Sequence, residues 1–327
     1  MKDDNRPLMV SIRCITYNHE PYIRQCLDGI VMQQTIFRFE VIVHDDASTD
    51  GTGSIIKEYA EKYPEIIKPI FETENKWSKR DGSLQRIMNE ACQGKYIAIC
   101  EGDDYWIDYQ YLQKKIDILE SDDGISMVCN KTACFSQKQK CIVRYNLDFH
   151  NDRFLDPKDL IMRGGGYVAT CSMVYRKSVV DNYPDYCVKC HVGDYPRQIM
   201  CGMKGKVYFL SDTMTVYRVD NSNSWVGKNW GNLSWDNLQS EIDLLSGFSH
   251  DFPSFYKTFQ LRKRRFILQH VPNRKEERSL YKEYKIRFDD IIRTFGFKEK
   301  ILFYINSSSK KELIYRCINK FIAWKNV

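Results

Sequence analysis

At 327 residues the chain is long enough for one large domain or two. A hydrophobic fraction of 43% with 13% aromatics supports a sizeable core and excludes general disorder. No run approaches roughly 18 uncharged apolar residues, which excludes a membrane-spanning helix, and Met1–Pro7 lacks the apolar stretch of a signal peptide, so the expected compartment is the cytosol.

The net charge of +6 is unevenly placed. Residues 255–327 hold 19 Lys and Arg against 7 Asp and Glu, a net of +12, so residues 1–254 carry −6. An acidic front and a basic tail call for different partners. No nucleic-acid module accompanies the tail, so nucleic acid is not the expected partner. Several of the 12 cysteines (Cys14, Cys100, Cys129, Cys171) sit inside apolar runs, where a free thiol acts as a small hydrophobe. Cys187-Val188-Lys189-Cys190-His191 spells a haem-attachment pattern, but no export signal goes with it and no second cysteine pair completes a zinc site.

In chain order, Met9–Ile15 reads as a strand. Glu20–Met32 follows as an amphipathic helix with Tyr22, Ile23, Cys26, Leu27, Ile30 and Val31 on one face. Phe39–Val43 is the next strand, Gly53–Tyr63 a helix, and Ile66–Phe71 a short strand. Leu84–Cys92 is a helix stopped by Gly94, Tyr96–Cys100 a strand, and Tyr111–Leu119 a helix. This βαβα rhythm predicts an α/β fold with a mainly parallel sheet covered by helices. Beyond Ser121 the pattern loosens. Met127–Asn130, Val168–Tyr175 and Val207–Leu210 read as strands, with a loop at Gly164–Gly166. Tyr195–Cys201 reads as a helix after Asp194, and Val216–Trp225 as a strand running into a polar loop. From about Trp235 the signals are helical and basic, giving expected regions of 1–234 and 235–327.

Two acidic clusters close two of the apolar runs. Phe39–Val43 empties into His44-Asp45-Asp46-Ala47-Ser48-Thr49-Asp50-Gly51, and Tyr96–Cys100 into Glu101-Gly102-Asp103-Asp104-Tyr105-Trp106. Open α/β sheets bind ligands at the carboxyl ends of their parallel strands. Carboxylates gathered there attract a divalent cation, which in turn holds phosphate oxygens.

The motifs resemble family 2 glycosyltransferases with the GT-A nucleotide-sugar-binding fold, of the bacterial type that builds surface polysaccharides. The resemblance covers roughly residues 8–225. It rests on Ile15-Thr16-Tyr17-Asn18-His19-Glu20, on Asp45–Thr52, on Gly94–Ala98 leading into Glu101–Trp106, and on Gly193-Asp194-Tyr195-Pro196. It implies an inverting, metal-dependent transfer of one sugar from a nucleotide-diphosphate donor, UDP-linked by preference, to a glycan or lipid-linked acceptor. Tyr17, flanked by Thr16, Asn18 and Glu20, would lie against the base. Asp46, or else Asp45, would accept from a uracil-type N–H. Separately, Lys79, Arg80 and Arg86 fall between the nucleotide motifs, where they either meet phosphate or form a solvated helix face. Asp103 and Asp104 would form the D-x-D site for Mg²⁺ or Mn²⁺, with Asp104 the first choice as direct ligand, and Glu101 would reach ribose or metal. Asp194 would be the base that deprotonates the acceptor hydroxyl, a group that also suits a helix N-cap. Tyr217-Arg218 matches a late Tyr-Arg pair, but Asp220 replaces the histidine that often follows it. The Gln-x-x-Arg-Trp motif of processive members is missing, which favours single-sugar transfer.

Two other functions fit the same pattern less well. A nucleotidyltransferase would open with a Gly-rich basic loop where this chain has Thr16–Glu20. A non-catalytic carbohydrate- or partner-binding domain has no use for Asp103, Asp104 and Asp194. In the tail, Ile301–Tyr304 and Leu313–Trp324 interleave apolar and aromatic residues with lysine and arginine. Such helices lie in a membrane interface, against the cytoplasmic face here, or else pack on the domain or form a homodimer.

Overall fold

The computed structural model describes residues 6–220, 234–272 and 277–308. The chain divides into two compact units, Met1–Asn229 and Trp230–Val327.

The first unit is a ten-stranded sheet with helices. Strand β1 (Leu8–Thr16) pairs in parallel with β2 (Arg38–Asp45) on one side and β4 (Tyr96–Ile99) on the other, and β3 (Ile67–Phe71) continues in parallel beyond β2. Helix α1 (Ile23–Val31) buries Ile23, Cys26, Leu27 and Ile30, the face set by the 3.6-residue period. These side chains join Val10, Ile12, Val41, Val43, Tyr96 and Ala98 in one apolar core. This half follows the predicted βαβα order.

The second half of the sheet is mixed rather than parallel. β6 (Ile125–Ser136) and β10 (Lys206–Val219) run in parallel to each other, but β9 (Val174–Arg176) is antiparallel to both β4 and β6. The short β5 (Tyr105–Trp106) is antiparallel to β10. The two strands expected at Val207–Leu210 and Val216–Trp225 are, within the described residues, one long strand. Register shifts between Leu210 and Thr215 absorb the polar Ser211-Asp212-Thr213 that looks like a turn in sequence. The strand expected at Val168–Tyr175 is mostly 3₁₀ turns at Gly165–Tyr167 and Thr170–Ser172, with pairing confined to its end. β7 (Cys141–Asn146) and β8 (Arg153–Leu155) are additional edge strands.

The second unit is helical, with segments Trp235–Asp251, Tyr256–His270, Arg278–Arg287, Asp289–Arg293 and Phe297–Asn306. Leu238, Ile242, Phe266, Ile267, Tyr284, Phe288 and Phe303 form its core. A buried Arg262–Glu241 ion pair at 3.0 Å crosses between its first two helices. No helix among the described residues is long and apolar enough to cross a membrane.

One buried charge stands out beneath the sheet. Lys115, on α4 (Tyr111–Ser121), is fully buried and donates to Asn130 Oδ1 at 2.7 Å and to the Ser172 carbonyl, with the Tyr111 ring 4.0 Å away. Burial lowers its pKa to about 7. Between that value and the ordinary lysine range the unfolded chain is charged and the folded amine is neutral, so stability falls as the pH drops through this window. Lys115→Met removes the titration but strands Asn130 and Ser172. The stability gap between wild type and Lys115→Met, read from urea unfolding at pH 7 and pH 10, should therefore be smaller at pH 7 by on the order of a few kcal/mol. An equal gap at both pH values rules this out.

Candidate active site

Parallel pairing sets the carboxyl ends of β1, β2 and β4 side by side. Thr16 is opposite Asp45. Beyond β4 the chain keeps following β1, with Cys100 N–H on the Arg13 carbonyl (3.1 Å) and Gly102 N–H on the Ile15 carbonyl (3.0 Å). Three loops therefore leave one edge together, at residues 17–20, 46–52 and 101–104.

The first two loops are laced to each other. Asn18 takes a left-handed conformation (φ 56°), which asparagine tolerates better than most residues. Its N–H donates to Ser48 Oγ (2.9 Å) and its Oδ1 accepts from Thr49 N–H (2.8 Å). His19 N–H reaches Thr52 Oγ1 (2.9 Å), Glu20 N–H reaches Asp50 Oδ2 (3.1 Å), and Glu20 Oε2 accepts from Gly51 N–H (2.9 Å). Asn18 and Glu20 thus spend their side-chain oxygens on the protein itself. Tyr17 stays 42% exposed between these contacts.

Asp45 and Asp46 are both buried. Asp45 Oδ1 accepts from Ser48 N–H (3.1 Å), closing the turn. Asp46 Oδ1 and Oδ2 accept from the backbone N–H groups of Lys76 (2.7 Å) and Trp77 (3.0 Å). The one signal of this loop in the sequence is an aromatic residue inside the polar run Asn75–Arg80. The loop leaves Trp77 40% exposed. Arg86 is exposed, and its Nη1 donates to the Asp81 carbonyl (3.0 Å).

Beyond β4, Glu101, Asp103 and Asp104 bring one carboxylate oxygen each within 4.8 Å of one another, the one such group able to hold a metal among the described residues. Asp104 is fully buried. Its Oδ1 accepts from Arg218 N–H (2.9 Å), and its Oδ2 is buried without a hydrogen-bond partner. Burial, followed by the charge of Asp103, pushes Glu101 up to about 8 and Asp104 well above the ordinary carboxylate range. Glu101 and Asp104 therefore resist ionising beside a third carboxyl. A divalent cation removes that conflict and fits an all-oxygen donor set. The orphaned Asp104 Oδ2 and the two raised carboxyls therefore match the group the resemblance implies.

Arg218 is the main neighbour of the cluster. Its Nη1 donates to the Asp103 carbonyl and its Nη2 to Gln25 Oε1, while the Tyr22 and Tyr105 rings lie 5.0 and 4.5 Å from the guanidinium. His19 Nε2 is 4.0 Å from Asp103 Oδ2. His19 Nδ1 and Thr16 Oγ1 are buried without partners. Asp220, where the family often has histidine, accepts from Ser136 Oγ on β6.

Asp194 is the first residue of α7 (Asp194–Lys204), with Gly193 as the N-cap, and its Oδ1 accepts from Tyr195 N–H (2.7 Å). Burial pushes its carboxyl above the ordinary value, with Arg197 opposing. Its charge in turn helps raise Glu101, which places both acids in one electrostatic neighbourhood. The Gly164–Gly166 loop closes on it: a Cβ on Gly165 would come within 3.1 Å of both Asp194 oxygens.

Residues 11–183, more than half of the chain, match glycosyl transferase family 2, and the chain belongs to that family. Among particular relatives, a Mycobacterium tuberculosis protein of uncharacterized function is 34% identical over 210 residues, 64% of this chain and 58% of the relative. The chain thus spans less than two thirds of the mycobacterial relatives' length. An uncharacterized glycosyltransferase of Nostoc is 23% identical over 265 residues, covering 75% of this chain and 76% of the relative. The Staphylococcus aureus TarS 1–349 structure in complex with UDP-GlcNAc superposes with a TM-score of 0.65 at 15% identity, over 90% of this chain and 84% of TarS 1–349. The mannosyltransferase PcManGT of Pyrobaculum calidifontis, in complex with GDP-Man and Mn²⁺, gives 0.55 at 16% identity, over 98% and 86%. At these identities both likenesses speak to the fold, which is GT-A with a C-terminal helical region.

The loops also approach closely at Gly102. A Cβ there would lie 2.7 Å from Thr16 Oγ1 and 2.9 Å from His19 Nδ1, whereas one on Gly166 meets nothing within 4 Å. Gly102→Ala should lower unfolding stability by about 1–3 kcal/mol, the usual cost of overpacking. Gly166→Ala should be neutral to within about 0.5 kcal/mol. Equal denaturation midpoints for the two variants would contradict the packing described.

Proposed function

We propose that the chain is an inverting glycosyltransferase that moves a single sugar from a nucleotide-diphosphate donor, UDP-linked by preference, to a hydroxyl of a glycan or lipid-linked acceptor. The observation that carries this is the cluster Glu101, Asp103 and Asp104 at the carboxyl ends of parallel strands, with Asp194 in the same electrostatic neighbourhood. The UDP-GlcNAc and GDP-Man named for the two structural neighbours support a nucleotide-sugar donor, and the Mn²⁺ named for PcManGT supports a divalent cation. A Bacillus subtilis relative, named a putative teichuronic acid biosynthesis glycosyltransferase and 35% identical over 100 residues, supports a surface-polymer acceptor.

Asp103 and Asp104 hold Mg²⁺ or Mn²⁺ in this reading, with Glu101 at the edge of the site. When bound there, the cation would supply the positive charge that a departing diphosphate needs. Tyr17 and Trp77 provide exposed aromatic surface for the base. Because Asp46 already accepts two backbone N–H groups, it serves the base mainly by fixing the Lys76–Trp77 loop. Asp194 takes the proton of the acceptor hydroxyl. Its burial raises its basicity, which matches a base that must act on an alcohol.

Asp104→Asn should abolish transfer and Mn²⁺-dependent donor binding with the fold intact by circular dichroism. Asp194→Asn should keep donor and metal affinity and lower kcat by about 10²–10⁴. Normal turnover in the first variant, or collapsed donor binding in the second, would reassign these residues.

The basic C-terminal region would bring the enzyme to an anionic membrane surface bearing its acceptor, at about 1 kcal/mol per cation near the headgroups. Leu313–Trp324 lies outside the described residues. The full chain should co-sediment with phosphatidylserine vesicles in low salt but not with neutral ones, and a chain ending at Ser308 should bind less. Equal partitioning of both chains would leave packing or dimerisation as the role of this region.

A further inference from the structure

We propose that Arg218 is the positioning residue of the acidic cluster: its guanidinium clamps the Asp103 carbonyl and so keeps its backbone N–H on one oxygen of Asp104, leaving Glu101, Asp103 and Asp104 with free oxygens for a divalent cation. This rests on the metal-dependent reading above and assigns a specific job to one side chain within it.

Arg218 is brought in from far along the chain. Thr215 and Val216 pair with Trp106 and Tyr105, which lays β10 alongside the strand that follows the cluster, and Arg218 comes two residues further on. From there its backbone N–H reaches Asp104 Oδ1. Its guanidinium, in a residue only 5% exposed, is fixed on four sides: the Asp103 carbonyl, Gln25 Oε1 on α1, and the rings of Tyr22 and Tyr105.

The informative point is what the guanidinium does not hold. A buried arginine beside three carboxylates would ordinarily form a bidentate pair with one of them. Here, among the described residues, its hydrogen bonds go to a carbonyl and a carboxamide. It therefore adds positive charge close to the acids without occupying a ligand oxygen. Desolvating a cation without a direct carboxylate partner is costly, and two ring faces, two oriented acceptors and the field of the nearby acids offset that cost. Lysine cannot replace it, because one ammonium has neither the planar fork nor the flat face that stacks between two rings.

The test uses the full chain without nucleotide and follows free Mn²⁺ by electron paramagnetic resonance during titration. Wild type should bind Mn²⁺, and Asp104→Asn should not. Arg218→Met and Arg218→Lys should each weaken Mn²⁺ binding by about 10–100-fold, the scale for residues that orient metal ligands. A purely structural arginine would instead lower the melting temperature and leave the affinity of the folded protein unchanged. Wild-type affinity in folded Arg218→Met, with Asp104→Asn devoid of binding, overturns the positioning role while sparing the metal reading. Absence of Mn²⁺ binding in wild type, or equal binding in Asp104→Asn, overturns the metal reading and the proposal with it. If the Arg218 variants do not fold, Gln25→Ala decides: a several-fold loss of Mn²⁺ affinity supports the clamp, and an unchanged affinity overturns it.

Discussion

Three carboxylates held within 4.8 Å of one another, in a place with little water, set the terms for the rest of the first unit. Two like charges at that distance repel by about 3–4 kcal/mol even at an effective dielectric of about 20. A flexible loop would relax by spreading them apart. Here the turn is closed by Asp104 N–H on the Glu101 carbonyl (2.9 Å), the chain before it is zipped to β1, and Arg218 is delivered from β10 on the far side. The antiparallel β5–β10 pairing therefore has a purpose that a uniformly parallel sheet would not serve. It lets a strand more than a hundred residues downstream end beside the loop that follows β4.

The neighbouring loops solve a different problem, which is rigidity without bulk. Asp, Ser and Thr dominate residues 45–52, and Asp46 or Asp45 among them looks like a base-binding group in sequence. Most are instead spent on one another and on the 17–20 loop, through hydrogen bonds that replace the backbone pairing lost where the strands end. The exposed residues left over include two large aromatics, Tyr17 in one loop and Trp77 in another. Polar residues that look like binding groups in sequence thus act as the frame, and the surface left for a flat ligand is carried by residues whose polarity says little.

This division explains which parts were legible. The parallel strands and α1 follow from period and length, because one face of β1, β2 and β4 and one face of the helix are buried in a single core. The acids after β4 were legible as a group because carboxylates clustered behind a buried strand have few structural uses. The continuity of β10 through Ser211-Asp212-Thr213 was hidden, since a bulge looks like a turn to a local pattern. The Lys76–Trp77 clamp on Asp46 was hidden as well, because it uses backbone N–H groups that every residue possesses. Arg218 lay between these cases: the Tyr217-Arg218 pair was visible, but its contacts depend on a long-range strand pairing that no local window contains.

Buried polar atoms without partners are uncommon in folded proteins, so their location carries information. Thr16 Oγ1, His19 Nδ1 and Asp104 Oδ2 are three of them. Thr16 and His19 both crowd the position of a Gly102 Cβ, and Asp104 is two residues further along the same loop. Two of these orphaned groups therefore meet at one glycine, and the third belongs to the loop that carries that glycine. The loop geometry brings them together, and the missing side chain of Gly102 is what lets the loops approach so closely. The cost of leaving them unsatisfied is of order 1–3 kcal/mol each, and a fold under selection for stability alone would have no reason to collect that cost at a single point. Collected there, beside carboxyls pushed toward their protonated forms, the orphans mark the edge at which the proposed donor and cation would complete the hydrogen bonding and charge.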